Sequence, residues 1–126
     1  MTGLFAGASA IEELLKQEKW ANLAILVVWE PILASDWSRP MRPVLARISD
    51  PRVRQFWDKD HLIAKELDQQ LSSSQPKCCR HAGILWDVVA LYPKGVQWGR
   101  FQPVFIDGAV VKVEAELAKQ LSATGR

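Results

Sequence analysis

The residues of this sequence that are best suited to chemistry are two adjacent cysteines, Cys78 and Cys79, the only two in the chain. Lys77 and Arg80 flank them, and His81 follows. Positive charge near a thiol favours the thiolate, which is the form that attacks disulfides and binds metals. The run therefore predicts a thiol-based redox site with Cys78, Cys79 and His81 as candidate catalytic residues.

The same three side chains are candidate metal ligands. Thiolates favour soft ions such as Cu(I), Zn(II) or Hg(II), and His81 would add a nitrogen ligand. A structural zinc site uses about four ligands, and this segment supplies three at most. Adjacent strand residues point to opposite faces, so both thiols reach one metal only where the backbone is irregular. In a third interpretation, one cysteine is a small buried hydrophobic residue and the other is incidental. The sequence identifies no cofactor.

The compartment predicted from the cysteines is a reducing one. A disulfide between adjacent cysteines closes a small, strained ring and staples nothing else, so both thiols are predicted to be reduced and the protein cytoplasmic. The longest apolar run, Leu23 to Trp29, is too short to cross a bilayer. Phe5 and Ala6 lack a preceding basic region, and acidic Glu12 follows soon after, which disfavours a signal peptide.

The charge balance narrows the expected partners. A net charge of +2 is too small to indicate nucleic-acid binding. No segment indicates a membrane. A thiol site predicts a protein or a small-molecule thiol as the partner, with its identity unknown, and a homo-oligomer is an open alternative.

Helical and extended patterns alternate along the chain and predict one α/β domain over residues 1–126. The runs 23–29 and 84–91 are apolar throughout, as is typical of central strands covered on both faces. The first two strands are joined through a helix and are therefore predicted to be parallel. Ser9 and Asp58 are the predicted N-caps of the first and third helices. The remaining predicted elements are helices over 8–20, 41–48, 59–71 and 113–121, a strand over 53–57, and a hairpin of 103–106 and 109–113 turning at Asp107-Gly108.

One part of the sequence carries a motif-like pattern. The apolar strand 26–29 is followed by Asp36-Trp37-Ser38-Arg39-Pro40-Met41 and then by Pro43-Val44-Leu45. This arrangement resembles the thioredoxin family, in which an apolar strand ends in an aromatic residue and Trp-Cys-Gly-Pro-Cys opens a helix with a later proline. Trp37 and Pro40 fit that motif, whereas Ser38 and Met41 stand at its two cysteine positions.

Further runs extend the likeness to nearly the whole chain. They are Trp29-Glu30-Pro31, Asp36-Trp37, Gln55-Phe56-Trp57-Asp58, Trp86-Asp87 and Leu91-Tyr92-Pro93. They resemble a group of uncharacterised bacterial thioredoxin-like proteins that has no assigned activity. The resemblance implies a thioredoxin-like α/β fold, a central mixed sheet of about four strands with helices on both faces. No Cys-x-x-Cys is present, which excludes ordinary dithiol catalysis at the helix start. The family has a cis-proline just before the third strand. This sequence lacks it, and residues 78–83 stand at that place instead.

The implied topology brings several of these residues to one edge of the sheet. The first two strands are parallel and the third is antiparallel to them, so strands 23–29 and 84–91 are expected to be adjacent. Open α/β sheets bind ligands beyond the carboxyl ends of their strands. The cysteines and His81 are therefore predicted to meet a set of candidate substrate-binding residues, which are Glu30, Asp36, Trp37 and Asp58.

Six tryptophans in so short a chain suggest either a bulky core or an exposed aromatic surface. Trp29 and Trp86 lie in apolar strands and are predicted to be buried. The acids that follow Trp29, Trp57 and Trp86 are expected to cap helices or face water, and His61 is expected to be solvated. The alternative to thiol chemistry is a non-catalytic binding or assembly module that uses a tryptophan-rich surface.

Overall fold

The computed structural model describes residues 2–19, 22–31, 40–71, 78–81, 83–97 and 102–124. These residues form a mixed α/β structure, as predicted, and divide into two compact units, Met1–Ile63 and Ala64–Arg126. No described helix is long and apolar enough to cross a membrane. The elements in chain order are α1 (Thr2–Gln17), β1 (Ile25–Trp29), α2 (Arg42–Leu45), β2 (Val53–Trp57), α3 (Leu62–Gln70), β3 (Arg80–His81), β4 (Ile84–Leu85), β5 (Val88–Leu91), β6 (Phe105–Gly108) and α4 (Val110–Thr124).

The first unit is built on a parallel pair of strands. β1 and β2 run side by side in a register from Ile25 opposite Val53 to Trp29 opposite Trp57. This confirms that the first two strands, which are joined through α2, are parallel. Trp29 is buried with Ala8 and Leu15 of α1 and with Ile48. The apolar side of α1 and the strand β1 therefore share one core.

Helix α1 begins earlier than the sequence pattern predicts. Ser9 lies within the helix and is exposed, so its prediction as the N-cap is wrong. Small residues before and after it, Ala8 and Ala10, are buried and extend the packed side toward the N-terminus. At the other end, the Arg52 guanidinium donates to the backbone carbonyls of Leu15 at 2.8 Å and Glu18 at 2.6 Å. Those carbonyls lack partners within a helix, so Arg52 completes its last turn.

The second unit contains two antiparallel ladders. β3 pairs with β4, with Arg80 opposite Leu85, and β5 pairs with β6, with Leu91 opposite Phe105. A buried cluster of Leu67, Leu85 and Ile106 joins α3, β4 and β6. Each later strand thus pairs with the next strand along the chain, as the sequence pattern predicts.

Two predictions for this unit are wrong. The apolar run 84–91 is two strands and not one, because Asp87 between them has a positive φ of 53°. Such a backbone is incompatible with an extended strand. Asp107 and Gly108 end β6 and do not form a hairpin turn, because α4 begins two residues later. The Val110 amide donates to the Asp87 carboxylate at 3.2 Å, so a distant side chain caps this helix.

The described ladders are three two-stranded sheets, and a single four-stranded sheet is not found among the described residues. In that part of the chain, no ladder joins β1 to β4 or β5. The predicted antiparallel pairing of residues 23–29 with 84–91 is therefore not observed. Trp86, predicted to be buried, is 38% exposed because it lies in the break between β4 and β5.

Candidate redox site

The two cysteines are joined to each other. Cys78 and Cys79 form a disulfide with an S–S distance of 2.10 Å, and no free cysteine remains. The prediction that both thiols are reduced is therefore wrong for this structure. The prediction assumed that only a bond between distant segments would form, whereas the irregular backbone before β3 lets adjacent side chains meet.

The backbone around the disulfide is set by the hairpin of β3 and β4. Cys79 has a positive φ of 69° and directly precedes β3. Its carbonyl accepts a hydrogen bond of 2.9 Å from the Trp86 amide, which extends the contacts of the ladder to the disulfide. Arg80 binds the carboxylate of Asp68 on α3 at 2.6 Å. The hairpin and an ion pair therefore hold the disulfide in place.

The two sulfur-bearing residues differ in their access to solvent. Cys78 is exposed, whereas Cys79 is buried at 8% exposure. A Cβ atom placed on Gly108 would lie 3.1 Å from the Cys79 sulfur and 3.1 Å from Val88, and it would overlap the Asp87 carbonyl oxygen. The missing side chain at Gly108 thus makes room for the buried sulfur. One face of the disulfide is packed, and the other belongs to an exposed residue.

Asp87 shapes the packed side of this site. Its carboxylate accepts from the first amide of α4, and its carbonyl oxygen lies against Gly108. Burial raises the pKa of Asp87, and the hydrogen bond from Val110 opposes that shift. The expectation that this acid caps a helix is confirmed. Its nearness to the buried cysteine was not anticipated, because it depends on the pairing of β5 with β6.

In the first unit, Glu30 and Asp58 follow the carboxyl ends of β1 and β2. The Asp58 amide donates to the Trp29 carbonyl at 2.7 Å. Its carboxylate is buried and accepts from the amides of Leu62 at 2.8 Å and Ile63 at 2.9 Å. Asp58 therefore accepts from the first two amides of α3, but the prediction that it is the N-cap of a helix starting at Lys59 is wrong, because the helix begins three residues later, at Leu62. Its role in substrate binding stays a prediction.

Glu30 pairs with a histidine that sequence reasoning did not connect to it. The His61 Nδ1 atom lies 3.2 Å from the Glu30 carboxylate, and the two side chains are 20% and 11% exposed. Burial raises the pKa of Glu30, the hydrogen bond and charge of His61 lower it, and Asp58 raises it further. His61 is thus not a solvated side chain. The sequence did contain one signal for this pair. Glu30 and the turn that begins at Asp58 each follow one of two strands predicted to be parallel, and the ends of such strands lie at the same edge.

The other predicted site residues are placed only in part. Asp36 and Trp37 lie outside the described residues, as does the side chain of His81. The described residues contain no group of three or more His, Cys, Asp or Glu side chains that could hold a metal ion. Glu30 and Asp58 belong to the first unit and the cysteines to the second. Their meeting at one edge stays a prediction.

Comparison with known proteins finds no relative of this chain. No family model matches the chain, and neither a curated protein nor a solved structure matches it.

Proposed function

We propose that this chain is a thioredoxin-like protein that exchanges the Cys78–Cys79 disulfide with thiols. The observation that carries the proposal is a disulfide between adjacent residues, one exposed and one buried. Such a bond joins no distant segments, so a structural staple is a poor explanation for it. Reversible oxidation of a dithiol is the chemistry that fits such a bond best.

The exchange reaction balances with a dithiol, or with two monothiols, as the reductant. A partner thiolate attacks one sulfur of the disulfide, a mixed disulfide forms, and the other cysteine leaves as a thiolate. A second partner thiolate then attacks the partner's sulfur in the mixed disulfide and releases the remaining cysteine. The partner is oxidised to a disulfide, and this chain gains two electrons and two protons. The reverse sequence oxidises this chain.

The order of the helices and strands supports the fold in this proposal, and the chemistry of the disulfide is compatible with the proposed compartment. A parallel β1–α2–β2 unit followed by an antiparallel β5–β6 pair and a last helix agrees with the order of a thioredoxin-like domain. A cytoplasmic location is compatible with an oxidised pair, because cytoplasmic disulfides are usually transient and catalytic or redox-sensing. Binding of a soft metal by Cys78, Cys79 and His81 would require the reduced form.

The test is equilibration of the purified protein in glutathione buffers of graded reduction potential. The expected result is a reversible transition between no free thiol and two free thiols, read by mass after acid quenching and alkylation. Cys78→Ser is the matched control and should show no such transition. In the reduced protein, His81→Ala should slow alkylation, because His81 follows Cys79 by two positions in the sequence and a positive charge close to a thiol favours the thiolate. A protein whose cysteines never pair at any glutathione ratio would contradict the proposal and favour a binding or assembly module.

A further inference from the structure

The pair formed by Glu30 and His61 joins two places that are far apart in the sequence. Glu30 directly follows β1, and His61 directly precedes α3. The imidazole Nδ1 atom lies 3.2 Å from the Glu30 carboxylate, and both side chains are largely buried. The pair therefore connects the end of a strand to the start of a helix.

The backbone of His61 is held in a conformation that residues other than glycine seldom adopt. Its φ is 59°, in the left-handed region. The His61 amide donates to the Asp58 carbonyl at 3.3 Å, and the Asp58 carboxylate accepts from the next two amides, those of Leu62 and Ile63. Such conformations persist where surrounding contacts hold them. Loss of the contact with Glu30 therefore favours release of this turn together with the first amides of α3.

The charges around the pair make its contact depend on the imidazole proton. Among the described residues, the charged side chains of His61 and Asp58 act on the Glu30 carboxylate, whereas Lys59 and Asp60 in the same turn are exposed. With the imidazole protonated, one positive charge faces two carboxylates. Without that proton, two carboxylates remain close together and the bond to the ring is weaker. Burial also raises the pKa of Glu30, so an ionised carboxylate at this place is unfavourable.

We propose that the Glu30–His61 pair is a pH-sensitive switch that holds the first turn of α3 closed while the imidazole is protonated and releases it when that proton is lost. Histidine side chains change charge between about pH 5 and 8, which sets the working range. In the closed state the amides of Leu62 and Ile63 stay bonded to Asp58. In the open state the turn leaves the left-handed conformation and both amides exchange with solvent. The switch does not depend on the thiol exchange proposed above.

The test measures amide hydrogen exchange by NMR at Leu62 and Ile63 between about pH 5 and 8. Each rate is divided by the intrinsic rate of an unstructured chain at the same pH, which removes the direct effect of hydroxide. The corrected wild-type rates should rise about tenfold across this range, as expected when an ion pair becomes a weaker hydrogen bond. The corrected rate at Asp68, further along α3, is the internal reference and should not change.

Two substitutions remove the titrating pair in different ways. His61→Asn removes the imidazole and suits the left-handed backbone, because asparagine adopts that conformation more readily than most residues. Glu30→Gln keeps a polar side chain that does not ionise. In both variants the corrected rates at Leu62 and Ile63 should change little with pH. Asp60→Asn, at an exposed acid in the same turn, is the matched control and should keep the wild-type pH dependence.

The proton itself is followed in the same samples through the ring ¹H and ¹⁵N shifts of His61. The midpoint of this titration should coincide with the midpoint of the change in exchange rate. Corrected wild-type rates that are independent of pH would overturn the proposal, as would an equal pH dependence in His61→Asn. If His61→Asn does not fold, Glu30→Gln decides, because a variant that retains the full pH dependence without the carboxylate contradicts the switch.

Discussion

At the scale of single residues, the surroundings of Trp29 and Trp86 decide how much each contributes to the stability of the fold. Trp29 and Trp86 follow similar apolar runs, yet Trp29 is buried in the first unit and Trp86 is exposed. The Trp29 indole also donates to Gln55 at 2.8 Å, and the Gln55 amide donates to the Leu45 carbonyl at 2.8 Å. Trp29 therefore combines apolar burial with a satisfied polar group, which is how a buried indole is normally accommodated.

We predict that replacing these two tryptophans by alanine lowers the free energy of unfolding by different amounts. Trp29→Ala should lower the free energy of unfolding by about 3–5 kcal/mol, because it removes a large buried side chain and leaves a cavity. Trp86→Ala should lower it by clearly less, because 38% of that residue is already exposed to solvent. Urea unfolding of both variants beside the wild type measures this. Losses of similar size would show that Trp86 is packed as tightly as Trp29 and would count against an exposed tryptophan-rich surface.

At the scale of elements, acids outside the strands set where two helices begin. The Asp58 carboxylate accepts hydrogen bonds from the first two amides of α3, and the Asp87 carboxylate accepts one from the first amide of α4. Both acids follow a tryptophan directly in sequence. Each helix start therefore depends on an acid that lies outside the helix itself.

For α3 we predict a cap that can be measured. Asp58→Ala should lower the free energy of unfolding by about 0.5–2 kcal/mol, because the amides of Leu62 and Ile63 lose their acceptor. Exchange of those two amide hydrogens should become faster. Asp60→Ala, at an exposed acid two residues away, is the matched control and should have an effect within about 0.5 kcal/mol. Equal effects of the two substitutions would mean that general charge, and not the cap, matters.

At the scale of the whole molecule, two carboxylates should affect the pH dependence of stability in opposite ways. The Arg52 side chain and amide bind Asp50 and lower its pKa from 3.8 to about 2. A carboxyl with a lowered folded pKa contributes stability above its unfolded pKa and loses it as pH falls toward the folded value. Glu30 has a raised pKa, chiefly through burial. It favours folding in acid, and this contribution is lost as pH rises through its folded pKa.

The prediction is a crossed pattern in urea unfolding midpoints between pH 2 and pH 8, a range that spans the ordinary values of 3.8 and 4.5. Asp50→Asn should weaken the protein most above pH 4, with the difference from wild type shrinking toward pH 2. Glu30→Gln should gain stability relative to wild type as pH rises above 4.5, because the amide cannot ionise. Asp60→Asn serves as the exposed control. A Glu30→Gln difference that falls with rising pH would show that pairing with His61 outweighs burial.

The local sequence pattern was enough to predict those elements whose signals lie within a few residues of one another. β2 has the predicted bounds, β1 begins only two residues late, and the parallel relation of the two follows from the helix between them. Asp58 was recognisable as an acceptor for helix amides because acids are favoured before a helix, but the helix start itself was placed three residues too early, at Lys59 instead of Leu62. The vicinal cysteines were recognisable from the sequence as a candidate site, because cations beside a thiol favour the thiolate, although a structural role for them stayed an open alternative.

The sequence by itself determined the α/β class, the parallel pair β1–β2 and the identity of the two thiols, since each depends on neighbours along the chain. Tertiary structure decided that the two sulfurs are bonded to each other and how each is surrounded. The bond between Cys78 and Cys79, the enclosure of one sulfur by Gly108 and the exposure of Trp86 all depend on a positive φ and on pairing with β6. The Glu30–His61 pair likewise joins residues 31 positions apart. Contacts of this kind are set by packing across the fold, and periodicity along the chain carries no record of them.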